Sequence, residues 1–506
     1  MPMTKSEQAR PSLIVSLLPL VSLLTCILSI IIFLGPGAVA DYSHYALLGA
    51  AALSVLLAAA SGTLRLDNLK SGLMKSSRQT LPAVPMLLFI SMVATTWMLS
   101  GVVPTLIDYG LRFLNPTLFL VTTCVACSII SILTGSSWST IATIGVAFMG
   151  IGTVMGYSQA MIAGAIISGA YFGDKMSPLS DTTVVASSAC GVDLFKHIRY
   201  MMITSGPAMA TAIIVFFILG FNNGTLTTAS SGDLTSCLNK TFDISPWTLI
   251  IPALTITMIV LRVPTVLTLA GSAMLGAIGI YVFQPEIAAA LSDMSAGIMA
   301  QAGDLIKILW SETTLTTGHD LLDSLVATSG ITGMLPTIAL VLSAMLFGAA
   351  MIGTGMLATL TETFTRRLRR RTSIVGATVG SGLFLNSCTA DQYLSLIIGG
   401  NMYRNVYQRF GLEPRLLSRS LEDSVSVTSV LIPWNSCGVT QSAVLGVSTF
   451  AYFPYCVFNI MSPLMTMFFA WTGWRVKSLL GSSDESVSAL AEELSPAIVK
   501  MDAQSE

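Results

Sequence analysis

Apolar residues in this chain run in long blocks. They neither alternate as in strands nor recur on one face as in surface helices. The first block, 13–34, is long enough for the ~30 Å core of a bilayer. Others follow at 45–61, 81–107, 115–134, 137–155, 159–170, 200–221, 247–261, 263–283, 335–360, 374–400, 424–446 and 449–472. Several are too short or too polar for simple spans. The pattern predicts about 10 to 13 membrane segments, some re-entrant or broken.

Ala38-Val39-Ala40 looks like a cleavage site for a leader. The preceding block exceeds the ~7–15 residues of a signal core, so the reading is a retained first helix.

Composition agrees. The chain has 506 residues, 53 % apolar and 10 % charged, with mean hydropathy +0.76. Soluble domains carry about 25 % charge. With 25 Lys+Arg against 26 Asp+Glu, no global field attracts nucleic acid. Most of the eight cysteines lie in apolar runs. Cys124 and Cys127 form a CxxC with no second pair nearby, so they read as packing residues. No HExxH, GxSxG or P-loop is present, so an ion gradient is the expected energy source and an enzyme is not expected.

Basic residues set sidedness. Lys5 and Arg10, then Arg65, Lys70, Lys75 and Arg78, flank one hairpin and are expected in the cytoplasm, as are Lys196 and Arg199. The run Arg366-Arg367-Leu368-Arg369-Arg370-Arg371 reads as a topology anchor. Basic clusters at both ends of 372–400 suggest a re-entrant hairpin. The expected organisation is a cytoplasmic N-terminus (1–11), a first transmembrane half (12–221), an external loop (222–246), a second half (247–475) and a disordered cytoplasmic tail (476–506).

Polar residues interrupt both halves. The first half carries breaks at 135–140, with Ser136, Ser137 and Thr140, and at 173–183, with Asp174, Ser177, Pro178, Ser180, Asp181, Thr182 and Thr183. The second carries breaks at 386–391, with Asn386 and Asp391, and at 432–438, with Pro433, Asn435 and Ser436. Proline removes a backbone donor, so Pro178 and Pro433 are expected to unwind helices. Matched interruptions are the mark of an inverted-repeat carrier. Asp181 also reads as a helix cap, and Asp174-Lys175 as a simple ion pair.

No Asp or Glu occurs at 81–107 or 109–173, so Asp174, Asp181 and Asp391 stand out near membrane depth. Such groups mark ion pathways. Carboxylate, hydroxyl and carbonyl oxygens suit Na⁺, and one carboxylate can hold H⁺ or Na⁺ in turn. Glu422 and Asp423 follow Arg419 and read first as a cytoplasmic ion-pair cluster.

At these residues the chain resembles the NhaC-type Na⁺/H⁺ antiporter family. The resemblance rests on GAYFGDKMSPLSDTT (169–183), DQYLSLIIGGNMYRNVY (391–407), LSRSLEDS (417–424) and LIPWNSCG (431–438), and extends over 10–475. It implies an all-α fold of two inverted repeats with re-entrant hairpins in the inner membrane of a prokaryote. It also implies exchange of Na⁺ for H⁺ by alternating access. By that resemblance the family's motif acids map onto Asp174 and Asp181, the expected Na⁺ site, with Asn386, Asp391 and Asn435 in the second half. The chain departs at Val184, where an Asn is common, at Val425-Ser426, where Gly-Thr is common, and at Val430, which replaces a frequent proline.

The expected partners are Na⁺, H⁺ and the bilayer, with no cofactor and no nucleic acid. A homodimer is compatible with this reading. The alternative is a Na⁺- or H⁺-coupled antiporter of a small organic acid, malate or lactate, or an amino acid on the same fold. A cationic residue in the pocket would favour it.

Overall fold

The computed structural model describes residues 11–35, 38–223, 238–291, 298–313, 327–328, 330–365, 368 and 370–474. Lys5 and Arg10, most of the expected external loop, Arg366, Arg367 and Arg369, and the tail lie outside them. Among the described residues the architecture is helical with no strand; one isolated bridge joins Thr313 and Thr328.

The first half contains α1 (Leu13–Leu34), α2 (Val39–Ala60), α3 (Leu66–Thr80), α4 (Ala83–Leu99), α5 (Val102–Phe113), α6 (Phe119–Thr134), α7 (Ser137–Val154), α8 (Gln159–Met176), α9 (Asp181–Cys190) and α10 (Leu194–Asn223). The second contains α11 (Ile250–Val260), α12 (Thr265–Phe283), α13 (Pro285–Leu291), α14 (Ile298–Trp310), α15 (Gly330–Gly353) and α16 (Met356–Thr365). It continues with α17 (Arg371–Thr389), α18 (Gln392–Arg409), α19 (Pro414–Leu421), α20 (Ser436–Leu445), α21 (Thr449–Tyr452) and α22 (Val457–Thr472).

Among the described residues, eight helices are long and apolar enough to cross a membrane. A ninth counts if Thr449–Tyr455 and Val457–Thr472, bent by 59°, form one broken span. The 10 to 13 expected segments include re-entrant and broken ones, and local breaks divide several apolar blocks into shorter helices. Block 81–107 is cut at Gly101, whose φ of 79° ends α4. Block 424–446 opens with a π-turn, Glu422–Ser426, and a 3₁₀ turn, Ser429–Leu431, before α20 begins.

Large apolar side chains such as Ile14, Phe33, Leu56, Ile218, Leu267 and Val282 are exposed on the outer helices, where lipid receives them. α1 is integral to the fold: Leu20, Leu23 and Ile27 are buried in a cluster shared with α2, α15 and α16. Its start is held where Thr359 Oγ1 donates to the Pro11 carbonyl at 3.1 Å.

α6 and α8 approach closely because α8 presents glycine to its partner. A Cβ at Gly169 would lie 2.1 Å from the Cys124 carbonyl oxygen, and one at Gly173 2.3 Å from that of Ser128. Ser131 Oγ, on α6, donates to the Ala170 carbonyl on α8 at 2.6 Å. This contact holds the C-terminal end of α8, and Asp174 with it, beside the start of α7.

Candidate ion-binding site

Each half has a first break built the same way. Gly135 and Ala390 adopt left-handed φ values of 67° and 55°, terminating α6 and α17. Ser136 and Asp391 then cap the next helices, accepting from the Ser139 and Leu394 amides. The amide of Ser136 donates to Thr134 Oγ1, and that of Asp391 to Thr389 Oγ1, both at 3.2 Å. Thr140 Oγ1 donates to the Ser136 carbonyl at 2.9 Å, and Ser395 Oγ to the Asp391 carbonyl at 2.8 Å.

The second breaks correspond at the same sequence offset. Pro178 and Pro433 precede the caps Ser180 and Asn435, and α9 and α20 end at left-handed Gly191 and Gly446. In each half the second break folds onto the first. Ser177 Oγ donates to the Ile132 carbonyl at 2.7 Å, and Trp434 Nε1 to the Ser387 carbonyl at 2.9 Å. The Ser436 amide donates to the Ala390 carbonyl at 2.9 Å, and Asn435 Nδ2 to the Asn386 carbonyl at 3.2 Å.

A cavity of about 570 Å³ lies where these breaks meet. Ser136, Asp174, Asp181, Thr182, Asp391 and Ser436 all line it. They sit at the starts of α7, α9 and α18, at the start of α20 and, for Asp174, in the last turn of α8. Four helix N-termini therefore border one space, and their partial positive charge favours ionised carboxylates there. Asp174 accepts from Ser137 Oγ at 2.7 Å and from the Ser137 amide at 3.2 Å. Asp181 is exposed to the cavity.

The other expected site residues stand behind the wall. Asn386 Nδ2 donates to the Val425 carbonyl at 2.7 Å, and Thr183 Oγ1 to the Lys175 carbonyl at 3.2 Å. Ser177, Pro178, Ser180, Asn435 and Pro433 shape the breaks rather than the lining.

Three sequence expectations are corrected. Asp181 is the first helical residue, and the cap is Ser180, whose hydroxyl accepts from the Thr183 amide. Lys175 pairs with Asp423, not with Asp174. Glu422 and Asp423 are fully buried rather than in a solvated cluster, because the π-turn at Glu422–Ser426 turns them into the protein. Asp423 accepts from Lys175 Nζ, Thr204 Oγ1 (2.9 Å), Ser462 Oγ and Thr466 Oγ1.

Gln392, Tyr393, Trp138 and Arg262 also line the cavity. The LSRSLEDS motif was the one sequence signal for Glu422 and Asp423. Arg262 gave none: it comes from the turn between α11 and α12, at a φ of 61°. Of the departures, Val184 is 41 % exposed on α9 and does not line the cavity. The Val430 carbonyl accepts from Tyr452 Oη at 2.8 Å.

The broken helices, the lipid-facing surface and the acid-lined cavity define a multi-pass carrier of the cell membrane. The chain belongs to the Na⁺/H⁺ antiporter family, whose model matches residues 9–190 and 169–474. It is 35 % identical over 407 residues to the Na⁺/H⁺ antiporter NhaC of Alkalihalophilus pseudofirmus, covering 80 % of this chain and 85 % of that one. It is 34 % identical to the malate-2H⁺/Na⁺-lactate antiporter of Bacillus subtilis, covering 81 % and 86 %. It is 31 % identical to the arginine/ornithine antiporter ArcD of Halobacterium salinarum, covering 96 % and 97 %.

Proposed function

We propose that this protein is a secondary active transporter that exchanges Na⁺ for H⁺ across the prokaryotic cell membrane. The observation that carries the reading is the convergence of Asp174, Asp181 and Asp391 on one cavity at unwound helix ends. Oxygen-rich surroundings suit a hard monovalent cation, and a carboxylate gives it up on protonation. Na⁺ and H⁺ are the transported ions, and no resident cofactor is required.

The matched breaks support an internal repeat, and two vestibules support alternating access. The 570 Å³ cavity is also lined by Thr80 and Pro82, at the end of basic α3. The positive-inside rule puts that end in the cytoplasm. A second pocket of about 420 Å³ is lined by Val39 and Asp41, at the opposite end of α2, and by Pro433 and Val439. The turn at Pro433–Ser436 separates the two, with Pro433 facing one and Ser436 the other. The turn at Pro433–Ser436 is thus read as the barrier between the two sides.

A second reading is coupled exchange of an organic acid or amino acid. Arg262 is the cation in the cavity lining, and the cavity far exceeds the ~30 Å³ share of one water. Helix N-termini and Arg262 would receive a carboxylate, and the three acids an amino group.

The test is ion-driven proton movement in everted vesicles from cells lacking their own antiporters. An acid-inside gradient is imposed and NaCl, LiCl or KCl added. Collapse on Na⁺ that disappears in Asp174→Asn and Asp181→Asn is expected. No collapse from well-expressed wild type, with malate, lactate or arginine counterflow instead, would establish the second reading.

A further inference from the structure

Behind the cavity wall lies a further carboxylate whose surroundings differ from those of every other buried acid among the described residues. Glu422 is 0 % exposed, and neither carboxylate oxygen has a hydrogen-bond partner. Its neighbour Asp423 takes Lys175 and three hydroxyls for itself. The Lys175 ammonium is therefore already paired, and the Arg419 guanidinium lies over the Tyr200 ring, 4.5 Å from its centroid. An ionised carboxylate buried without donors is costly, so this group has to be met by a proton or by an arriving cation.

The local backbone is not that of a packed helix. Glu422–Ser426 is a π-turn, and such turns recur at functional sites. Other buried oxygens on and around this segment are also unpartnered: Ser426 Oγ, Asn386 Oδ1 and Asn459 Oδ1. Both asparagines are fastened to the segment by their amide nitrogens, Asn386 to the Val425 carbonyl and Asn459 to the Val427 carbonyl at 2.8 Å. A core evolved only for stability satisfies such groups.

Glu422 lies close to the cavity: Thr182, which lines it, is in the first turn of α9, and α9 packs against the Glu422–Ser426 turn. Thr182 Oγ1 is 3.0 Å from Ser180 Oγ, which caps α9. The charged and titratable groups around Glu422 are Lys175 and Asp174 on α8, Cys190 on α9, Arg419 one turn earlier and Asp423 beside it.

We infer that Glu422 is a proton-carrying carboxylate of the transport cycle, on a turn packed behind the cavity wall. The inference rests on the Na⁺/H⁺ exchange reading and adds to it a site separate from the cavity acids. Glu422 takes up a proton as Na⁺ leaves the cavity acids and releases it to solvent as Na⁺ returns, which couples the two ions.

The experiment uses full-length protein in proteoliposomes with two readouts. One is proton movement driven by a Na⁺ gradient; the other is exchange of radiolabelled Na⁺ for Na⁺, which moves no proton. Glu422→Gln should lower the first by at least about tenfold and leave the second within about threefold of wild type. Glu422→Asp should restore proton movement with a displaced pH profile. Glu422→Gln protein that still moves protons on Na⁺ at the wild-type rate and pH profile would overturn the inference alone. Loss of both readouts in Glu422→Gln and Glu422→Asp alike would also overturn it. Wild-type protein without Na⁺-driven proton movement would overturn the exchange reading and this inference with it.

Discussion

Asp423 and Lys175 form an ion pair with no exposure to solvent, and three hydroxyls complete the shell around the carboxylate. Among the described residues Lys175 Nζ has one other hydrogen-bond partner, Ser462 Oγ at 3.1 Å, and lies 5.8 Å from the Phe458 ring centroid. Removing one member of a buried pair strands the other, at a cost of about 3–5 kcal/mol. Asp423→Asn leaves the ammonium with little, whereas Lys175→Met leaves the carboxylate three donors. Asp423→Asn is therefore expected to be the more destabilising. The double variant should lose less than the sum of the two, read as thermal stability of the purified protein in detergent. Two adjacent residues, 422 and 423, thus take opposite parts: Asp423 ties α8 to α10 and α22, and Glu422 is left unpaired.

At the scale of elements, the helix breaks were largely legible. Pro178 and Pro433 mark the second breaks because a missing amide cannot be hidden in a helix. Ser136 and Asp391 mark the first because short polar side chains cap the amides that follow. The division of block 81–107 at Gly101 was not legible, since a lone glycine is also tolerated inside helices. Nor was the closeness of α6 and α8, although Gly169 and Gly173 have the spacing for it. Gly169→Ala should force the two helices apart and cost about 1–3 kcal/mol. Gly380→Ala, in α17 with nothing within 4 Å of the added carbon, should be neutral or stabilise by about 0.5–1 kcal/mol. Folded yield and thermal stability of the two variants give the comparison.

For the whole molecule, the arrangement of two vestibules around one turn makes a directional prediction. A cysteine at Thr265, in the larger cavity, should react with a membrane-impermeant thiol reagent from the cytoplasmic face. One at Thr337, in the smaller pocket, should react from the other face. Conditions that drive turnover should change the two reactivities in opposite directions. Reaction of both from one face would dismiss the two-sided arrangement.

Sequence alone was sufficient for the membrane setting, the helical class, the family and the places where helices break. These follow from local quantities: hydropathy over a window, a missing proline amide, a run of motif residues. Tertiary structure decided which helix ends meet, that Arg262 enters the cavity from a distant turn, and that Lys175 pairs with Asp423 rather than with Asp174. It also decided that Glu422 is buried without a donor. Burial and pairing depend on residues far apart in the chain, and a one-residue change in a turn's winding moves a carboxylate from solvent to interior. A linear pattern does not encode that outcome.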